Sequence, residues 1–138
     1  LKLESISEGG HGRRIFATVT GVERTIYGIF NNHDLGLLAE YQFDDRNIEY
    51  APSVSTDNDL FLALRYGLND QYDSAILIGG IVDLNDETTV FTIEAERRFS
   101  DSWFLEFSVR AFCNVSETQG FYTVRHDDFF SLTLDRYF

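Results

Sequence analysis

RHDDFFSLTLDRYF, residues 125–138, is the stretch whose reading decides the fold. From Phe130 onward alternate positions are apolar (Phe130, Leu132, Leu134 and, past Arg136, Phe138), while Ser131, Thr133, Asp135 and Tyr137 fill the places between. Successive side chains of an extended strand point to opposite faces, so a period of two builds one greasy face and one wet face. A sheet made this way separates two solvents.

The same rhythm runs back through the chain. Thirteen Phe and seven Tyr, a single proline (Pro52) and no Met favour strands throughout. Seven are expected, over 13–28, 34–44, 59–69, 74–84, 89–99, 103–113 and 127–138, joined as an all-β, antiparallel up-and-down meander. Residues 1–12 read as the end of a loop. The connections alternate: 45–58 and 114–126 are long and polar, whereas 29–33, 70–73 and 100–102 are tight, and 85–88 is a short connection at the long-loop end. Long loops on one side and short turns on the other are the habit of transmembrane β-barrels.

The faces follow from the alternation. In the third expected strand Leu60, Leu62, Leu64, Tyr66 and Leu68 oppose Phe61, Ala63, Arg65, Gly67 and Asn69; in the sixth Leu105, Phe107 and Val109 oppose Glu106, Ser108 and Arg110. Glu40, Arg65, Glu94, Glu96, Arg98, Glu106 and Arg110 all fall on the side of the small and polar residues, most of them in mid-strand. A dry core would penalise each unpaired ion by several kcal/mol, and a water-filled lumen would not. The opposite face is almost continuous Leu, Ile, Val and Phe, insoluble in water but suited to hydrocarbon. Arg97 and Arg136 break it near strand ends beside Phe99 and Trp103, where long side chains reach headgroups and aromatics form an interfacial girdle. The first strand has no unambiguous phase, because neither register turns both Glu23 and Arg24 away from the apolar side. Pairing the hairpins places Arg65 opposite Leu77, Leu77 beside Glu96 and Glu96 across from Glu106, which predicts a charged interior layer with Glu94, Arg98 and Arg110 near it.

Composition narrows the classes of partner. The formal charge of −12 arises from 23 acids against 11 bases, which points away from nucleic acid. Acids crowd the connections, among them Asp44, Asp45, Asp57, Asp59, Asp70, Asp86 and Glu87, where they keep loops solvated and could recruit divalent cations at a lipopolysaccharide surface. The longest apolar run, Ala75–Val82, is far below the roughly 20 residues of a spanning helix, while a barrel strand needs about 9–11. Cys113 stands alone, so no intrachain disulfide forms. An opening at Leu1 without Met or export segment is what a fragment of a longer barrel would show.

Three segments, DNDLFLALRYGLND (57–70), IVDLNDETTVFTIEAERRFSDSWFLEFSVRAF (81–112) and RHDDFFSLTLDRYF (125–138), resemble the carboxy-terminal part of a poorly characterised group of proteobacterial outer-membrane β-barrel proteins. The last of them resembles the β-signal that the barrel-assembly machinery reads, with Phe138 as terminal aromatic and Phe130, Leu132 and Leu134 as the alternating hydrophobics; Arg136 departs from the pattern. The resemblance implies a single barrel domain over 1–138, an outer-membrane location, the lipid bilayer and lipopolysaccharide as surroundings, and further strands or partner chains to complete the wall. It implies no transported molecule, no cofactor and no catalytic residue.

Three functions remain in view: porin-like passage of small solutes or a purely structural wall; a soluble lipocalin- or fatty-acid-binding-like cup for an apolar ligand; and an outer-membrane enzyme with a rim site. For the last, His126 with Asp127, Asp128 and Ser131 resembles the rim sites of outer-membrane acyltransferases, phospholipases and proteases. Adjacent strand residues point to opposite faces, so these do not converge from sequence, and no catalytic set is assigned. His126, Asp127 and Asp128 likewise lack the spacing of a closed metal site, and no metal ligands are assigned. A cup needs a greasy lumen and a charged exterior, the reverse of the assignment above.

Overall fold

The computed structural model describes residues 1–8, 14–46, 57–117 and 120–138. They form one antiparallel sheet whose eight strands lie side by side in chain order. The strands are β1 (Lys2–Glu8), β2 (Ile15–Ile29), β3 (His33–Asp44), β4 (Asn58–Gly67), β5 (Ala75–Asp83), β6 (Thr89–Ser100), β7 (Trp103–Cys113) and β8 (Phe129–Arg136). A 3-10 turn, Gly120–Val124, interrupts the connection before β8. The all-β meander expected from the sequence is present, and the sheet is not closed, because β1 and β8 remain at its two edges.

One expectation fails at the amino-terminal end. Residues 2–8 are not the end of a loop but an eighth strand, paired with β2 from Lys2↔Gly21 to Glu8↔Ile15. KLESISE escapes a periodicity search because Lys2, Glu4 and Glu8 share one face with Ile6 while Leu3 shares the other with two serines. Neither face is greasy, so the strand exists through its backbone ladder to β2, reinforced by Thr18 and Thr20, whose hydroxyls donate to the carbonyls of Glu4 (3.0 Å) and Lys2 (3.4 Å).

Turn chemistry explains the remaining boundaries. At the tight end, Phe30, Asn31 and Asn32 have φ of 37, 64 and 70°, and Asn69 and Asp73 have φ of 50 and 52°. Asn and Asp tolerate this left-handed conformation because their short side chains bond the local backbone. At the opposite end Asp83 Oδ1 accepts from the backbone N–H groups of Asn85 (2.6 Å) and Asp86 (3.2 Å), so the chain turns directly after Asp83 and Leu84 leaves the strand. This shifts β6 by two residues from the expected pairing: Leu77 stands beside Glu94, and Glu96 beside Ala75. Arg65 opposite Leu77 and Glu96 opposite Glu106 hold as expected.

Register sorts every strand from β3 to β8 into the two faces read from the sequence. One row, Leu37, Leu64, Ile78, Ile93, Val109 and Phe130, crosses six strands without a polar residue. The ambiguous strand resolves with Glu23 on the polar face, beside Leu38, and Arg24 on the apolar face, beside Leu37.

Burial tells which face curls inward. On β5 the apolar-face Ile76 and Ile78 are exposed, while Ala75 and Gly79 on the polar face are buried and Leu77 is half-buried. Arg65 on β4 reaches Glu96 on β6 at 4.0 Å, across an intervening strand, which a flat sheet with strands about 4.8 Å apart would hinder. The polar face is therefore concave and the apolar face convex. Among the described residues no second layer covers either one, and Ala75 is the sole buried hydrophobic residue. The accessible surface is 9761 Å², against about 7,400 Å² for a compact soluble protein of this mass.

Candidate functional site

The concave face carries the charges, and one depression in it, of about 300 Å³, is walled by β4 to β8. Arg65, Glu94, Glu96 and Glu106 line it, with Ser108, Ser131 and Thr133 completing its polar surface. Each is there for the same reason: it occupies an inward position on a strand whose outward positions are apolar. Arg65 and Glu96 pair at 4.0 Å with side chains 63 and 46 % exposed. An ion pair this wet contributes about 0–1 kcal/mol, so it does not hold the fold together. Glu96 and Glu106 face each other in register, an arrangement that destabilises a dry sheet and is tolerated where water screens it.

The rest of the expected layer is dispersed. Arg98 sits at the tight-turn end, 3.8 Å from Asp73 and over the ring of Phe104. Arg110 is in the row of Thr92, two residues along β7 from Ser108, with its guanidinium 5.8 Å from the centre of the Phe129 ring. Glu40 lies on β3, outside the depression, and accepts from Gln42 Nε2 at 3.1 Å. The expected cluster is thus four residues with three satellites: the two-residue shift at Asp83 carries Arg98 away from Arg65 and brings Glu94 into its row, while Glu40 lies four positions from Arg65 whatever the register of β6.

On the convex side Phe130, Leu132 and Leu134 are 78, 65 and 56 % exposed along the free edge strand, and Phe138 extends past it. The aromatic and basic residues of the tight-turn end form small stacks. The Arg136 guanidinium lies 5.3 Å from the Trp103 ring and 4.8 Å from that of Phe138. Arg97 is clasped by the β4–β5 turn, 3.7 Å from Asp70, 3.3 Å from Ser74 Oγ and 4.9 Å from the Tyr72 ring. Backbone and side-chain donors of Ser74, with Arg97 beside them, hold the Asp70 carboxyl below its ordinary pKa. Phe99 is exposed nearby. Sequence alone gave Arg97 no partner, since Asp70 lies 27 positions away. Higher on the convex face, a shallow apolar groove opens where the small residues Ala39 and Gly80 flank Leu62 in register. Arg24 borders it as the one ionised side chain of the described convex face far from a strand end.

The rim residues Asp127, Asp128 and Ser131 are engaged separately, and His126 is exposed beside them in the chain. Asp128 Oδ1 accepts from Phe112 N–H at 2.8 Å, capping the end of β7, and Asp127 N–H donates to Val124 O. Ser131 is three positions into the sheet, pairs with Ser108 and lines the depression. His11 falls outside the described residues. His33 bonds Tyr66 OH and meets its ring edge-on, at the tight-turn end.

Sequence reading placed Asp57 and Asp59 among the solvated acids of the connections but missed their convergence with Asp83: one carboxylate oxygen from each lies within 4.8 Å of the others. Asp59 and Asp83 are partners in register. The signal was accessible: any β4–β5 hairpin that sets Arg65 against Leu77 also sets Asp59 against Asp83. Scanned against protein-family models, curated proteins and solved structures, the chain matches none.

Proposed function

We propose that this chain is part of the wall of a bacterial outer-membrane β-barrel and surrounds an aqueous, predominantly acidic passage for small hydrophilic solutes. The observation that carries the reading is the inversion of the usual protein interior: wet, charged side chains on the concave face and exposed Leu, Ile and Phe on the convex one. Water would find the convex face costly, since a contiguous apolar surface of this extent is rare on soluble monomers. Lipid tails would not. The strands from β3 to β7 are 9 to 12 residues long, which suits a hydrocarbon span. The open edges at β1 and β8 call for further strands, from more of the same polypeptide or from other chains, because a free edge in hydrocarbon leaves its N–H and C=O groups unbonded. In this reading β8 is also the strand that the assembly machinery would engage.

A lipocalin-like cup would need the greasy face on the inside, and a rim enzyme would need His126 beside a nucleophile. Neither arrangement has support in the geometry described above. The test is fractionation followed by a planar-bilayer recording. The exported chain is expected in the outer-membrane fraction and to give stepwise conductance. Insertion without conductance would reduce the role to a structural wall, and a chain that stays soluble and monomeric without detergent would refute the membrane reading.

A further inference from the structure

At the long-loop end of the sheet, β4 begins and β5 ends with two aspartates directly opposed. Asp59 is 3 % exposed and Asp83 2 %, and Asp57 joins them from just before β4. Buried like charges set face to face across a strand pair oppose folding. Two of the oxygens are moreover buried without any hydrogen-bond donor, Oδ2 of Asp59 and Oδ1 of Asp57. Burial first, and then the charge of Asp83, push the Asp57 carboxyl above its ordinary pKa. Among the described residues no basic side chain is paired with Asp57 or Asp59. Arg46, which leaves β3 nearby in the chain, is engaged with Asp44 at 3.2 Å.

We propose that Asp57, Asp59 and Asp83 bind a divalent cation of the calcium class. Carboxylate oxygens are hard donors; Asp57 Oδ1 and Asp59 Oδ2 have no hydrogen-bond partner, and one oxygen from each of the three residues lies within 4.8 Å of the others. Calcium holds oxygens at about 2.3–2.6 Å, so atoms as far as about 5 Å apart can share one ion, and it tolerates irregular geometry. Magnesium demands a near-ideal octahedron at about 2.0–2.1 Å, which two strand ends and a loop residue do not readily supply. The surroundings orient the ligands. Asp83 Oδ1 is fixed by the N–H groups of Asn85 and Asp86, Asn85 Nδ2 approaches Asp57 Oδ2 at 3.4 Å, and Asn58 Nδ2 donates to Asn85 Oδ1 at 2.8 Å. Tyr41 OH in turn donates to Asn58 Oδ1 at 2.8 Å. Such outer contacts are what hold metal ligands in place. The bound ion would pin the β4–β5 hairpin at the long-loop end, whether lipid or water meets the convex face.

The test is calorimetric titration of the full chain with calcium chloride after chelator treatment, in detergent micelles or, if the chain proves soluble, in buffer. Magnesium chloride is the second probe, and thermal unfolding the second readout. Saturable one-to-one calcium binding and a raised unfolding midpoint are expected, with magnesium weaker. Asp59→Asn, Asp83→Asn and Asp57→Asn should each weaken calcium binding at least tenfold, whereas Asp101→Asn, in the exposed turn at the other end, should bind as the unaltered chain does. Because Asp57→Asn and Asp59→Asn remove repulsion from a carboxylate with an unpartnered oxygen, these two metal-free variants should unfold no earlier than the metal-free parent, which separates a lost ligand from a lost fold. Absence of saturable binding at millimolar calcium would overturn the proposal. So would unaltered binding by the three variants, or an equal loss in Asp101→Asn.

Discussion

Leu62→Arg puts the inside-out arrangement to its most direct test. Leu62 lies on the convex face, 51 % exposed, flanked in register by Ala39 and Gly80. It sits four residues from one end of β4 and five from the other, about 14–17 Å along the strand at roughly 3.4 Å per residue. An arginine there cannot reach either interface without bending its stem along the sheet. Placing Arg near the midplane of a barrel wall costs about 2–4 kcal/mol, which is a loss of about 30- to 900-fold in the folding equilibrium at about 1.4 kcal/mol per tenfold. On a water-facing surface the same change would alter stability by no more than about 0.5 kcal/mol and would raise solubility. Urea titration of the chain refolded into lipid vesicles measures the difference. Arg65→Leu, the mirror substitution three positions along on the concave face, removes a wet ion pair and should cost less than about 1 kcal/mol. Equal stability of Leu62→Arg and the parent chain in vesicles, or a larger loss in Arg65→Leu than in Leu62→Arg, would refute the assignment of faces.

Three further outcomes are expected. Glu96→Gln should weaken, and Arg65→Ala strengthen, a preference for cations, read as opposite shifts of reversal potential across a salt gradient; no shift in either would leave these charges a structural role. Asp70 has a lowered pKa because Ser74 and Tyr72 donate to it and Arg97 stands beside it. Its folded value lies below the unfolded one, so its contribution is present above the ordinary aspartate value of 3.8 and is lost as pH falls through the folded pKa. Asp70→Asn should therefore lower the unfolding midpoint at neutral pH and leave it nearly unchanged in strong acid, as thermal scans across pH would record. Asp128→Ala removes the acceptor for Phe112 N–H and should cost about 1 kcal/mol in a urea titration.

What the sequence by itself determined is everything that depends on alternation. Leu60, Leu62 and Leu64 against Phe61, Ala63 and Arg65 define two faces wherever β4 lies, and Asn31, Asn32 and Asp73 fall in the turns expected over 29–33 and 70–73, whereas Asn69, expected in the strand, lies beyond its end. Strands β2 to β8 and their order were legible for that reason. Tertiary structure alone decided the quantities that join one strand to the next. The tight turn after Asp83 set Glu94 rather than Glu96 beside Leu77, and so put Glu94 in the row of Arg65 and moved Arg98 away from it. Pairing with β2 made a strand of Lys2–Glu8, which has no greasy stripe of its own. The aspartate cluster and the Asp70–Arg97 clasp join residues 24 to 27 positions apart. A period of two fixes which way a side chain points, but which neighbour it meets depends on register, and register is set by turns and backbone ladders that a single strand does not contain.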